Sequence, residues 1–220
     1  MIGSGLALFE RSEFSQTPIS PSTARQPEGP TQQGRQARTA HPAFTQKTNT
    51  TRRKMSPMAK KEHVSETPAT AMLKASKIAF TEHPYDYLEH GGAQHSAEVL
   101  GVDPFTVIKT LIMQDQDAKP LVVLMHGNRK VSTKNLARQI GAKSVEPCKP
   151  EIANKHSGYL VGGTSPFGTR RQMPVYVEES VLALPRILIN GGRRGYLVGL
   201  VPDVCVRLLG AKPVQCALAE

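Results

Sequence analysis

Val107-Ile-Lys-Thr-Leu-Ile-Met113 and Leu121-Val-Val-Leu-Met125, joined by the polar stretch Gln114–Pro120, are the runs whose reading decides the fold. Two β-branched and aliphatic segments of strand length, separated by turn-forming residues, predict a β-hairpin. Working upstream, Thr67-Pro68 predicts the start of a helix with Ala71, Met72, Ala75 and Ile78 along one side. Phe80–Tyr87 reads as extended, with Pro84 favouring a sheet edge. His95–Gly101 reads as a short helix with Ser96 as N-cap and Gly101 as stop. Working downstream, Ser132–Ile140 is a capped amphipathic helix ended by Gly141, Ser144–Glu146 a short strand, and Pro150–His156 a helix of one or two turns. Val175–Val177, Arg186–Ile189 and Tyr196–Leu200 follow as strands, Pro202–Leu209 as a helix and Val214–Cys216 as a last strand. Strands and helices mix without regular βαβ alternation. The expected class is therefore α/β with a mixed, barrel-like sheet and surrounding helices, rather than a doubly wound sheet.

Before Thr67 the character changes. Residues 1–65 are rich in Ser, Thr, Gln, Pro and Arg and lack a sustained apolar period, so they are expected to form a disordered, basic extension before one domain at 66–220. Met55 and Met58 stand just ahead of the first patterned segment, which makes this leader resemble an upstream extension. The formal charge is +10, of which +6 falls in residues 1–65 and +4 in the remainder. A mildly basic domain is compatible with a nucleic-acid partner without demanding one. No apolar run is long enough to cross a bilayer, and the three cysteines, Cys148, Cys205 and Cys216, are odd in number and widely spaced. A cytoplasmic protein without membrane attachment is expected, its cysteines buried rather than nucleophilic.

Chemistry concentrates in two glycine turns. Gly158-Tyr-Leu-Val-Gly-Gly-Thr-Ser-Pro-Phe-Gly-Thr-Arg-Arg171 leads an apolar run into a turn that leaves on paired arginines, and Asn190-Gly-Gly-Arg-Arg-Gly195 repeats that chemistry. Glycines let a ligand approach the main chain, and consecutive N–H groups form anion-binding concavities. The P-loop pattern fails because Thr169-Arg170 follows where Lys-Ser/Thr is required. A serine triad lacks its Gly-x-Ser-x-Gly elbow, and His83, His90, His95, His126 and His156 lack zinc-site spacing, so neither metal nor cofactor is expected. Lys109 stands out inside an apolar strand, where it either meets an anion or points to water.

Tyr85, Val107-Ile-Lys-Thr-Leu111, Gly141-Ala-Lys, the first glycine turn through Gly168 and Asn190–Gly195 together resemble the YbaK/EbsC family of free-standing Cys-tRNA(Pro) deacylases, in consistent order from about Thr67 to Ala217. Related editing domains occur within prolyl-tRNA synthetases. The resemblance implies an aminoacyl-tRNA editing domain that removes cysteine from tRNA(Pro) and also attacks Cys-tRNA(Cys). Its partners would be mischarged tRNA and prolyl-tRNA synthetase, with no DNA and no membrane. It further implies a catalytic group of Lys109, Gly162 and Gly163, and substrate contacts from Tyr85, Thr110, Thr164, Ser165, Asn190, Gly191 and Gly192. Asn190 stands where relatives have Ser, and Leu197 where they have Asp. Arg170, Arg171, Arg193 and Arg194, with Lys134 and Arg138 four apart on their helix, are candidate contacts to acceptor-stem phosphates. Two other readings stay open: a noncatalytic tRNA- or synthetase-binding module, and a deacylase for another small mischarged amino acid.

Overall fold

A computed structural model of the chain describes residues 66–218, so the expected disordered extension lies outside the described residues. The predicted hairpin is present: β2 (Val107–Asp115) pairs antiparallel with β3 (Pro120–His126), placing Lys109 opposite Met125. It sits at the centre of an eight-stranded sheet. The other strands are β1 (Thr81–Pro84), β4 (Val145–Pro147), β5 (Val175–Glu178), β6 (Ile187–Arg193), β7 (Tyr196–Leu200) and β8 (Lys212–Val214), in the order β1-β7-β6-β2-β3-β5-β8, with β4 on β2. The sheet is mixed, as expected. β6 runs parallel to β2, β5 to β3 and β8 to β5, whereas β6–β7 and β1–β7 are antiparallel. The strand path is open, ending on β1, where Pro84 costs no ladder bond on the free side, and on β8.

Every residue of β3 is buried because each face of the strand meets a core. Val122 and Leu124 join the larger cluster, which takes Leu73 from α1 (Pro68–Ala75), Ala153 from α4 (Pro150–Ser157) and Val204 from α6 (Asp203–Leu209). Leu121, Val123 and Met125 join a second cluster with Leu136 of α3 (Thr133–Ile140). Burying such side chains stabilises the fold by roughly 1.5–3 kcal/mol each before chain entropy is subtracted.

Three local expectations are corrected. Helix α1 ends at Ala75 and buries Ala69, Thr70 and Leu73; of the expected side, Met72 and Ile78, the latter beyond the helix, pack partly buried against the core, while Ala75 is exposed. Helix α2 spans Gly92–Leu100, so Ser96 is not its cap; the buried Ser96 hydroxyl donates to the Ala93 carbonyl instead. Strand β8 ends at Val214, and Cys216 lies beyond it, accepting the Ser132 N–H through its carbonyl. A 3-10 turn at Pro104–Thr106 and α5 (Glu179–Leu182) had no counterpart in the pattern reading.

The incomplete pairing of β2 makes the site. β2 meets β6 only through Val107 and Ile108, and β4 only through Met113, Gln114 and Asp115. Between them one edge of the strand is uncovered. Ile112 turns its carbonyl to that edge and accepts the Cys148 N–H at 3.0 Å, and by strand alternation the main-chain groups of Thr110 face the same way.

Candidate active site

A cleft of about 460 Å³ opens along this uncovered edge. β2 forms its floor from Val107 to Met113, α2 and the loop before it form one wall, and Val161, Gly162, Thr164, Asn190, Arg194 and Leu197 form another. Seven of the residues singled out in sequence come together here: Lys109, Thr110, Tyr85, Gly162, Thr164, Asn190 and Arg194.

Lys109 is half-buried on the cleft floor and is paired with no carboxylate among the described residues. Its Nζ donates to the Arg129 carbonyl at 2.5 Å. Burial, reinforced by the neighbouring Lys130 charge, pushes its pKa below the usual lysine value. An ammonium held by one neutral dipole, with cationic neighbours, has a standing demand for an anion. Beside it the Thr110 Oγ1 is buried without a hydrogen-bond partner. Burial also raises the Tyr85 phenol, so that it remains a protonated donor at neutral pH.

The first glycine turn packs against the second glycine segment, which corrects the expectation of a turn over Asn190–Gly195: Asn190–Arg193 continue β6 through a register shift and only Arg194 and Gly195 turn. A Cβ on Gly163 would stand 2.8 Å from the Arg193 carbonyl carbon and the Arg194 amide nitrogen, and the Gly163 N–H already donates to Leu160. Gly163 is therefore the closest-packing point between the turns. The amides of its neighbours Gly162 and Thr164, both on the cleft wall, have no acceptor among the described residues. Gly162 has a φ of 89°, and its Cβ would lie 2.8 Å from the Tyr87 hydroxyl, so only glycine fits without strain. Asn190 ties the turns by donating from Nδ2 to the Gly162 carbonyl at 3.0 Å and accepting the Gly192 N–H at 2.9 Å. Thr67, the N-cap of α1, braces the second glycine segment from outside by donating to the Gly191 carbonyl at 2.5 Å.

The remaining candidates lie outside the cleft. The Ser165 hydroxyl is fully buried and accepts the Phe167 N–H. Gly191 and Gly192 give way to the Tyr196 and Tyr159 rings, close approaches that fix the second turn. Arg193 lies over the Tyr196 ring, Arg170 and Arg171 are exposed beyond the first turn, and Lys134 and Arg138 are exposed on α3. Tyr87, His90, Val161 and Cys148 line the cleft without having been singled out for it. Tyr87 was detectable in principle as a second tyrosine beside Tyr85, whereas Arg129 acts through its carbonyl and leaves no side-chain signal. Among the described residues no three His, Cys, Asp or Glu side chains group as a metal site.

A strand edge, one lysine drawn below its usual pKa and a glycine turn packed against a glycine-bearing hairpin define a small α/β domain whose cleft presents main-chain N–H groups beside that lysine. The chain belongs to the aminoacyl-tRNA editing domain family, whose sequence profile matches residues 91–208. EbsC of Enterococcus faecalis, by name a candidate Cys-tRNA(Pro)/Cys-tRNA(Cys) deacylase, is 32% identical over 164 residues, covering 74% of this chain and 100% of that protein. The proline–tRNA ligase of Streptococcus mutans is 28% identical over 108 residues, 49% of this chain but only 17% of the ligase. The crystal structure of a candidate trans-editing enzyme for prolyl-tRNA synthetase superposes with a TM-score of 0.60 at 20% identity, covering 69% of this chain and 96% of that one.

Proposed function

We propose that this chain deacylates mischarged tRNA in trans, with cysteine on tRNA(Pro) as first substrate and Cys-tRNA(Cys) as a second. The observation that carries the reading is identity to EbsC along that protein's whole length, with the cleft's lining from Gly92 to Leu197 inside the residues that the family profile matches. An aminoacyl ester is already activated, so a site that orients it and stabilises the developing oxyanion is sufficient. The N–H groups of Gly162 and Thr164 are the proposed oxyanion donors. Lys109 is the proposed anchor for the phosphate of the terminal nucleotide, exchanging the Arg129 carbonyl for an anion. The nucleophile is the substrate's own thiol, which attacks its carbonyl carbon as the bond to the ribose oxygen breaks; that oxygen takes a proton and leaves as the tRNA hydroxyl. Mischarged tRNA is the partner, prolyl-tRNA synthetase a further one, and the cytoplasm the place of action. Among the described residues no helix is long and apolar enough to cross a membrane.

A second reading has one observation in its favour. Leu197, 4% exposed and on the cleft wall, makes that wall apolar where the family resemblance expects a carboxylate, which suits a small uncharged side chain such as alanine. Deacylation of Cys-tRNA(Pro), Ala-tRNA(Pro) and Ser-tRNA(Ser) by the purified chain separates the readings. Turnover of the cysteinyl ester well above the other two is expected. Preference for alanine would support the second reading, and no turnover of any would leave a noncatalytic binding module.

A further inference from the structure

Exposed large apolar side chains are ordinary when scattered. Here Tyr87, Leu160 and Val161, exposed by 37%, 62% and 45%, occur on two loops that meet at the cleft mouth. Arg194 lies over Tyr87 with its guanidinium carbon 5.3 Å from the ring centre, and its Nε donates to the Val161 carbonyl at 3.0 Å. The guanidinium is thus placed over the ring and held through one nitrogen. Its two terminal nitrogens have neither a carboxylate nor a hydrogen-bond partner among the described residues. What remains is an exposed guanidinium with unused N–H donors on its two terminal nitrogens, at the lining of the cleft.

A ligand suited to such a surface combines a flat ring with an adjacent anion, as an unpaired nucleotide does; arginine planes and tyrosine faces are the groups on which single-stranded bases stack. Glu89 stands on the same rim, so a polyanion attracted by charge alone gains less here than one that also stacks. We propose that Tyr87 and Arg194 form a stacking ledge for the unpaired nucleotide immediately 5′ of the esterified one. The base lies on the outer guanidinium face, and the phosphate linking the two nucleotides meets the terminal nitrogens. This deepens the deacylase reading and rests on it only for which nucleotide occupies the cleft.

The test is therefore binding rather than turnover. The full chain is titrated with a 5′-fluorescein CCA trinucleotide and, in competition, with AMP. We expect the trinucleotide to bind on the order of tenfold more tightly than AMP. Arg194→Lys, which keeps the charge and loses the plane, and Tyr87→Leu should each remove most of that difference, while Tyr87→Phe should retain it. Both side chains are exposed, so melting temperatures should stay within a few degrees; should Tyr87→Leu misfold, Arg194→Lys decides. Equal affinity for trinucleotide and AMP, unchanged binding by Arg194→Lys, or equal competition by a blunt RNA duplex would overturn the ledge. Competition by an acidic peptide at similar concentration would assign the surface to a protein partner and overturn it as well. Trinucleotide preference without deacylation would refute the deacylase reading alone, and deacylation without the preference would refute the ledge alone.

Discussion

Lys109 carries more of the proposed chemistry than any other side chain, and its environment explains why alternation could not place it. β2 has packed residues on both faces, Ile108 and Ile112 in one cluster and Met113 in another, so neither inward nor outward means solvent. Because the ammonium is held by a carbonyl and not by a core contact, Lys109→Ala should reduce deacylation about a hundredfold or more while the melting temperature moves little. Unchanged turnover, or a large fall in melting temperature, would make Lys109 structural. The cysteines support a different expectation. Burial pushes the Cys205 and Cys216 thiols up to about 12 and raises Cys148, so all three are protonated at neutral pH and poor nucleophiles. Replacing all three with Ala should leave most deacylation of Cys-tRNA(Pro) in place, whereas alkylating the substrate thiol should greatly slow it. A folded triple variant without activity would return the nucleophile to the protein.

At the scale of elements, the glycine turns were legible as chemistry but not as packing, since no pattern in the sequence shows that Gly163 touches the backbone of Arg193 and Arg194. The pairing of two distant turns is a tertiary fact. Gly163→Ala must move backbone against backbone, so it should destabilise the domain by roughly 1–3 kcal/mol and lower turnover together with it. A fully stable variant would mean that the turns separate freely. The end of β3 supplies a second case. His126 is completely buried, stacked at 3.6 Å on Phe105, with Nδ1 2.6 Å from the Phe105 carbonyl and Nε2 2.8 Å from the Ser180 hydroxyl. That arrangement suits a neutral ring donating from Nδ1 and accepting at Nε2. Burial holds its pKa below the ordinary value, and His83 and His156 shift the same way. Since the unfolded chain takes up protons below about pH 6.5 while these rings resist, stability is full above that pH and falls as pH drops toward the lowered folded values. Melting temperature should therefore be lower at pH 5 than at pH 7.5, and His126→Asn should flatten the profile. A His126→Asn profile parallel to wild type would remove His126 from the account.

For the molecule as a whole, the hairpin, the edge position of β1 and the glycine stops of α2 and α3 were readable because each depends on neighbouring residues alone. The gap between β6 and β4 that opens the cleft was not, because it depends on where two partner strands stop along β2. The same distinction bears on the amino-terminal boundary. The first described segment is integral to the site: Ala69 and Leu73 are fully buried in the main core, Thr67 holds the Gly191 carbonyl, and a Cβ on Gly168 would lie 2.5 Å from the Pro68 carbonyl oxygen. Residues 1–57 show no apolar period that would call for burial. We propose that a chain starting at Met58 keeps its melting temperature and deacylation within about twofold, whereas one starting at Ser76 loses α1, exposes the core beneath it and frees the second glycine turn from Thr67. The check is a pair of truncations compared by thermal melting and by turnover of Cys-tRNA(Pro). A fall in activity at the first cut would give the leader a part in tRNA capture, the +5 charge of residues 1–57 being the cause to test by salt titration. A second truncation that folds and turns over normally would show that α1 and Thr67 are dispensable to the glycine turns.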